Sequence, residues 1–575
     1  MDYRQRYEMW LSEDCFDDET KAELQAIREN DKEIQERFYT ELEFGTGGLR
    51  GILGAGTNRM NVYTVGKATQ GLANYILKQG TQEKGVAIAY DSRHMSKEFA
   101  EMAGRILAAN HIKAYVFSEL KPTPMLSFAV RHLQCTAGIV VTASHNPPEY
   151  NGYKVYWADG GQVTEPRDRD IIAEVNAVER YSDIRKMPLE EALAAGLFQW
   201  MDVSVEEAYI ENVKAQCLQQ DLIRAMADKV SIIYTPLHGA GNIPVRRALR
   251  EVGFKNVFVV PEQELPDPDF TTVGYPNPED PKVFTLAIQL AKEHDADILI
   301  ATDPDSDRMG AVVKDNQGEY FVLSGNITGA LLTEYVLSQK KAKGILPQNG
   351  AVVKTIVSTE IIRPIAKEYG MAMFEVLTGF KFIGRQMYEF ERSGKYEYVF
   401  GFEESFGYLA GTYARDKDAV VATMLMCEMT AYYKSRGMTV YDGLLELYEK
   451  YGYYREKNIA LVLKGLEGME KIKNIMTHFR QNPPKDFNGI ATAWARDYEL
   501  QKFENILTGE TEEDLLPVSN VLHYTLEDGS WVCIRPSGTE PKLKFYYGTV
   551  GDSIENADAK IDVLHKAMEA KLAQI

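Results

Sequence analysis

The feature that most constrains the fold is a pattern that recurs three times: two short strand-like runs separated by helix-like segments, then a third run that stops abruptly at a polar loop. In the first set, residues 86–90, 112–117 and 138–141 read as strands, with helical spacing of apolar residues over 97–110 and 125–133. In the second, the strands are 231–234, 257–260 and 297–301 and the helices 244–252 and 281–294. In the third, they are 351–357, 371–376 and 398–400, with helices over 361–369 and 383–391. Parallel strands need a crossover connection, so this alternation predicts mixed, mostly parallel sheets covered by helices. Ligands of such sheets bind at the carboxyl ends of the strands, where all three polar loops fall.

The tail from about residue 457 breaks the pattern, with strands at 459–463, 531–534 and 543–547 and a closing helix over 554–572. A smaller α+β domain is expected there. At 575 residues the chain exceeds one core, and about 150 residues per domain predicts three or four. The expected division is 1–205, 206–320, 321–452 and 453–575, with joints at 183–206, 340–350 and 452–458. Residues 3–42 read as one or two surface helices, and the acidic, proline-rich 262–280 as a long loop.

Each polar loop carries chemistry. The first, 142–154, runs Thr-Ala-Ser-His-Asn-Pro-Pro-Glu-Tyr-Asn-Gly-Tyr-Lys and places Ser144 just past a strand end. Its two prolines stiffen it, and Asn151-Gly152 turns Lys154 back towards its start. No G-x-S-x-G elbow or His-Asp pair accompanies Ser144, which argues against acyl transfer. The second loop sets Asp303, Asp305 and Asp307 at alternate positions before Arg308. Like charges this close need a cation, and oxygen-only ligands suit Mg²⁺ or Ca²⁺. An EF-hand is excluded, because Arg308 and Lys314 stand where glycine and glutamate are wanted. The third offers Glu403, Glu404 and Ser405 to sugar hydroxyls, with Arg415 and Lys417 as charge for a phosphate. Two more stretches suit anions: four glycines around Arg50 in 44–51, and Arg535, Ser537, Gly538 and Thr539 in the tail.

Taken in order, the serine loop, the aspartate loop, Gly-Phe-Glu-Glu-Ser at 401–405 and Arg-Pro-Ser-Gly-Thr at 535–539 resemble the four signature loops of the α-D-phosphohexomutase superfamily. The phrases at 44–51, 58–63 and 235–241 are similar to its phosphoglucomutase branch, which includes bacterial α-phosphoglucomutases. The resemblance implies three related α/β domains and a smaller fourth around a central cleft. It implies an enzyme, an intramolecular phosphotransferase of the isomerase class that interconverts α-D-glucose 1-phosphate and glucose 6-phosphate via phosphoserine and glucose 1,6-bisphosphate. Ser144 would carry the phosphoryl group, and with Asp303, Asp305 and Asp307 it would hold Mg²⁺. Arg308 would contact the phosphoserine, and His145, Lys154 and Arg50 would line the transfer site, with Lys154 or His145 moving the proton. Thr378, Gly379, Lys381, Glu403 and Ser405 would read the sugar, and Arg535, Ser537, Gly538 and Thr539 would anchor the phosphate that does not react. Members acting on mannose phosphates usually end the sugar loop with a histidine, whereas this chain has Phe406, Gly407 and Tyr408. Glucose is therefore expected over mannose, with phosphopentomutase and phosphomannomutase activities as alternatives. Two rivals lie outside the mutases: a Mg²⁺-dependent phosphatase with Asp303 as nucleophile, and a non-catalytic sugar-phosphate sensor.

Composition narrows the partners. Lys plus Arg number 64 against 84 Asp plus Glu, a net charge of −20, which argues against nucleic-acid or anionic-membrane binding. The five cysteines, Cys15, Cys135, Cys217, Cys427 and Cys533, are odd in number and scattered, so neither a disulfide framework nor a zinc knuckle is expected. No apolar run is long enough to cross a bilayer. The expectation is a cytoplasmic enzyme of small sugar phosphates with no obligate protein partner.

Overall fold

The computed structural model describes the chain except residues 46, 464, 514–515 and 538–541 and the side chains of 465 and 466. It divides into two compact units, one of Met1–Leu323, Phe380–Tyr398 and Phe406–Thr439, the other of Ser324–Gly379, Val399–Ser405 and Val440–Ile575.

The first unit holds two sheets. The first is built from β1 (Gly48–Ile52), β2 (Val86–Tyr90), β3 (Ala114–Val116), β4 (Ala137–Val141), β5 (Tyr150–Trp157) and β6 (Phe198–Trp200), in the order β1-β5-β4-β2-β3-β6. β4, β2, β3 and β6 run parallel. β2 and β4 are buried at every position, as strands covered on both faces must be. The covering helices include Val62–Gln79, which starts in a capping box between Asn61 and Thr64 and ends at Gly80 in the left-handed conformation.

The stiff loop expected over 142–154 is half strand. β5 returns antiparallel to β4, pairing Val141 with Tyr153 and Val140 with Lys154, and β1 then pairs Gly48 with Lys154 and Arg50 with Gly152. The two glycines permit this close approach. A Cβ on Gly152 would sit 2.4 Å from the Thr142 carbonyl oxygen, and one on Gly48 would lie 1.9 Å from that of Tyr153. Arg50, Lys154 and Ser144 are thereby gathered at one end of the sheet. Residues 183–206, expected as a joint, contain the helix Leu189–Ala194 and β6, which pairs with β3 as the sheet's edge.

The second sheet repeats the plan with β7 (Ser231–Thr235), β8 (Asn256–Val259), β9 (Ile298–Thr302), β10 (Met309–Lys314) and β11 (Tyr320–Val322), in the order β11-β10-β9-β7-β8. β7, β8 and β9 are parallel, and β10 returns antiparallel from β9. The serine and aspartate loops are thus the same topological element, the link from a central parallel strand to its antiparallel return. The N-terminal segment forms three helices, Tyr3–Ser12, Asp18–Ala26 and Asp31–Phe38, around Trp10, which stacks on Phe16 at 4.3 Å.

In the second unit β12 (Gly350–Thr355) pairs in parallel with β13 (Ala372–Val376). β12 is flanked on its other side by β14 (Glu397–Glu403), of which 399–403 belong to this unit. The C-terminal sheet is antiparallel, with Tyr453–Val462, Lys542–Gly551, Trp531–Pro536, Leu522–Leu526 and Ile490–Asp497 as consecutive neighbours. The closing helix Ile554–Leu572 packs Ile561, Leu564 and Met568 into the core formed with Val532, Ile534 and Phe545. Residues 452–458, expected as a joint, begin the strand Tyr453–Val462. No helix among the described residues is long and apolar enough to cross a membrane.

Candidate active site

Ser144 lies beyond β4 in the left-handed conformation, φ +53°, and is 3% exposed. A non-glycine residue is held there only by its surroundings. Its N–H donates to Thr142 Oγ1 at 2.8 Å, and its hydroxyl donates to Asp303 Oδ2 at 2.8 Å, 3.4 Å from His145 Nδ1. Asp303 opens the turn that follows β9, and its Oδ1 accepts from the Asp307 and Arg308 amides at 3.1 and 3.0 Å. The turn after β7 braces this loop: the Ala240 amide donates to Pro304 O at 2.8 Å, and a Cβ on Gly239 would come within 2.5 Å of Pro304 Cα.

The carboxylates of Asp303, Asp305 and Asp307 each offer an oxygen within 4.8 Å of the others, and all three residues are buried. Asp305 Oδ2 accepts from Thr123 Oγ1 at 2.9 Å and Lys154 Nζ at 3.0 Å. Asp307 Oδ2 pairs with Lys417 at 3.0 Å and faces Lys154 at 3.8 Å. Burial, then repulsion from its two neighbours, pushes the Asp303 carboxyl well above its ordinary range. Burial and the Asp305 charge raise Asp307. For Asp305, burial is outweighed by Lys154, whose ammonium leads the groups that hold the carboxyl far below that range. Asp305 Oδ1 and Asp307 Oδ1 are buried and accept no hydrogen bond among the described residues. Buried carboxylate oxygens left without donors are costly, and three converging carboxylates fit a hard divalent cation. The residues present can hold such a metal.

Positive charge surrounds the serine. Arg308 pairs with Glu279 at 2.9 Å, and the Arg50 guanidinium donates to Asn146 Oδ1 at 3.3 Å. Burial first, then Arg308 and Arg50, push His145 well below its usual value, so its imidazole is neutral at pH 7. Arg415 and Lys417, read together as charge for a phosphate, separate here. Lys417 joins the aspartates, whereas Arg415 is buried against Glu391 and donates its amide to Ser127 Oγ at 2.8 Å. Lys381 opens the helix Phe380–Ser393 in the first unit, with Nζ 5.1 Å from the Phe382 ring.

In the second unit, Glu403 ends β14 buried, and the next residue, Glu404, accepts from Thr355 Oγ1 at 2.9 Å. Ser405 is half-buried, Gly379 has a φ of +118°, and Thr378 Oγ1 is buried with no hydrogen-bond partner among the described residues. Arg535 is half-buried with Nη1 3.4 Å from the Tyr546 hydroxyl, and the Ser537 amide donates to Lys542 O at 2.8 Å. Burial raises the Tyr546 phenol, Glu404 raises it further and Arg535 opposes, so the three lie within electrostatic reach. Gly538 and Thr539 lie outside the described residues. Reading the sequence passed over Thr123, Arg93 and Glu279. Asp91-Ser92-Arg93 follows β2 as the serine loop follows β4, and that strand-end position is the signal for it; Thr123 and Glu279 carry none.

Comparison with known proteins agrees with this geometry. Family models described as phosphoglucomutase/phosphomannomutase match in order: alpha/beta/alpha domain I at residues 41–182, domain II at 207–318, domain III at 324–451 and the C-terminal domain at 480–563. The chain is 38% identical over 531 residues to a phosphoglucomutase of Staphylococcus haemolyticus, covering 92% of this chain and 94% of that one. It is 35% identical over 543 residues to one of Staphylococcus aureus, covering 93% and 95%. Among solved structures, a phosphoglucomutase/phosphomannomutase family protein from Burkholderia thailandensis aligns with a TM-score of 0.65 at 18% identity over 92% of this chain and 98% of that one. The open form of parafusin from Paramecium gives 0.65 at 18% identity over 93% and 96%. At such identities the two structures speak to the fold.

Proposed function

Since the chain belongs to the phosphoglucomutase/phosphomannomutase family, we propose that it is a phosphoglucomutase, interconverting α-D-glucose 1-phosphate and D-glucose 6-phosphate through phosphorylated Ser144 and glucose 1,6-bisphosphate. The observation that carries this is the hydroxyl of Ser144, 2.8 Å from one of three convergent aspartates, in a loop whose Asn146 takes a hydrogen bond from Arg50 and whose His145 feels Arg308 and Arg50, with Lys154 on Asp305. Phosphoryl transfer asks a protein mainly for positioning and for charge to offset the transferring group. Mg²⁺ held by Asp303, Asp305 and Asp307 together with the Ser144 oxygen would supply part of that charge when bound.

In the first transfer a substrate hydroxyl oxygen bonds to the phosphorus on Ser144, the bond from phosphorus to Ser144 Oγ breaks, and the hydroxyl proton passes to Ser144 Oγ. His145 is suited to carry it, because its ring is neutral and its Nδ1 lies 3.4 Å from that oxygen. Lys154 stays ion-paired with Asp305 and contributes charge. The bisphosphate then exchanges ends, and the second transfer runs the same steps backwards with the other phosphate. We assign the sugar contacts to Thr378, Gly379, Lys381, Glu403 and Ser405, and the grip on the non-reacting phosphate to Arg535, Ser537, Gly538 and Thr539. Arg415 and Lys417 keep the task of offering charge to a phosphate: Lys417 faces Asp307, and Arg415 Nε and Nη1 are buried without a hydrogen-bond partner among the described residues. The domains of this reading are 1–205, 206–320, 321–452 and 453–575.

Intact-mass measurement tests it directly. Incubation with glucose 1,6-bisphosphate should add one phosphoryl group to the wild-type protein and none to Ser144→Ala, which should also lose interconversion of the glucose phosphates. Retained turnover in Ser144→Ala with release of inorganic phosphate would instead make Asp303 the nucleophile of a phosphatase.

A further inference from the structure

We infer that Arg93 is a positioning residue for phosphoryl transfer: its guanidinium shapes the loop that carries Ser144 and keeps the serine oxygen on the aspartates. The inference rests on the reading of Ser144 as the phosphoryl carrier. Arg93 enters from the end of β2, and its side chain is fully buried. Nη2 donates to the carbonyl of Ser144 at 2.6 Å and to that of Asn146, and Nη1 donates to those of Pro147 and Tyr150 at 2.8 and 3.1 Å. All four acceptors belong to one loop, and one of them is the nucleophile's own carbonyl.

Other holds on that loop lie at its edges: Leu53 N donates to Glu149 O at 2.8 Å, Arg50 to Asn146 Oδ1 at 3.3 Å, and Asn151 Nδ2 to His94 O at 2.8 Å. Between Ala143 and Tyr150, Pro147 and Pro148 have no N–H to give, and the internal backbone bonds among the described residues are Asn146 N to Ala143 O and Tyr150 N to Pro147 O, both 3.1 Å. Buried carbonyls need donors, and a planar fork with five of them can serve several that converge from one side. The guanidinium is itself fixed on two sides. Asp91 Oδ2 lies 3.3 Å from its Nε, while Asp91 Oδ1 is occupied by Ser96 Oγ at 2.7 Å and the Arg93 amide at 3.0 Å. The ring of Phe270, from the 262–280 loop, stacks 4.9 Å from its centre. A buried arginine is costly unless its donors are used. Here they are used on the curvature of a single loop, which explains how Ser144 stays at φ +53°. The same charge is within electrostatic reach of Asp305 and Asp303.

A lysine at 93 would keep the charge but not the fork. Arg93→Lys in the full-length enzyme should lower kcat on glucose 1-phosphate by about 100-fold, the cost of displacing a reacting group by about 1 Å. KM should stay within about threefold, because substrate binding energy comes largely from other loops. Phosphorylation of Ser144 by glucose 1,6-bisphosphate, followed by intact mass, should slow by the same factor as kcat. In Arg93→Ala, millimolar guanidinium should restore part of kcat, and it should not do so in Arg93→Lys. If Arg93→Ala fails to fold, the lysine variant carries the test alone. The inference is overturned if Arg93→Lys phosphorylates and turns over at the wild-type rate, or if its loss of activity simply follows a fall in thermal stability. A wild-type protein that takes no phosphoryl group at Ser144 would overturn the underlying reading and this inference with it.

Discussion

His145 and the aspartates show what single residues can and cannot announce. Carboxylates at alternate positions after a buried strand are legible as a cation site because the pattern is local. Their partners are not, since Lys154 reaches Asp305 and Asp307 from β5, Thr123 reaches Asp305 from the start of the helix Thr123–His132, and Lys417 reaches Asp307 from a distant loop. The same non-locality separates Arg415 from Lys417, neighbours in sequence whose side chains part. Two predictions belong at this scale. Burial and the arginines depress the His145 pKa, so the imidazole remains a proton acceptor well below the free value of about 6.5. The acid limb of the kcat–pH profile should therefore lie below that value, and His145→Ala should lower kcat by about 10²–10⁴. An acid limb at or above about 6.5 would remove His145 from the proton path. Asp305→Asn should cut turnover by about 10²–10³, the scale of losing one charged group that stabilises the transition state. A Mg²⁺ titration checks it: wild-type activity at low metal would contradict the cation assignment.

At the scale of elements, the parallel strands were readable and their antiparallel returns were not. β2 stands out in the sequence at its full length, and β4 to within a residue, because continuous apolar runs mark strands buried on both faces. β5 is hidden behind prolines and an Asn-Gly pair that favour a turn, and only packing against β4 and β1 makes it a strand. β6 is hidden likewise by its brevity and polar flanks, so its stretch reads as a joint. The residue that permits β5 is Gly152, and there the prediction is steric. Gly152→Ala places a methyl 2.4 Å from the Thr142 carbonyl oxygen, which must move, and it lies between Ser144 and Lys154 in the chain. Overpacking of this kind costs about 1–3 kcal/mol, readable in urea unfolding, and it should lower kcat because Lys154 is carried by the displaced strand. Unchanged stability together with unchanged kcat would mean that the strand pairing does not position the site.

For the whole molecule, the division of labour separates a mutase from simpler enzymes. Three repeated α/β sets and a divergent tail could be read from periodicity, a reading that passes over the helix Gly465–Gln481 and the strands Ile490–Asp497 and Leu522–Leu526 within the tail. Met469, Ile472, Ile475, Met476 and Phe479 do recur at helical spacing, and Leu522, Tyr524 and Leu526 at strand spacing, so the signal is present there, whereas Ile490–Asp497 alternates less regularly. Ser144 and the aspartates are in the first unit and Arg535 is in the second. A phosphatase needs only a nucleophile, a cation site and a base. A mutase must in addition hold the sugar by one phosphate while the other reacts, and then by the other, so it needs a second phosphate grip that accepts either end. We expect Arg535 to supply it, with a guanidinium at a strand end, 3.4 Å from the Tyr546 hydroxyl. Arg535→Ala should raise KM for glucose 1-phosphate and lower kcat as well, because binding energy at the remote phosphate aligns the reacting hydroxyl. The combined loss in kcat/KM should be about 10- to 100-fold, the worth of one charge-assisted hydrogen bond. Arg535→Lys should recover little, because an ammonium lacks the fork. The variant should also release more glucose 1,6-bisphosphate between the two transfers and so drift to the unphosphorylated form. Added bisphosphate should then restore part of its activity, a rescue that no phosphatase mechanism produces. Wild-type kinetics in Arg535→Ala, with no new dependence on the bisphosphate, would leave the first unit as the whole catalyst and the mutase reading without its second grip.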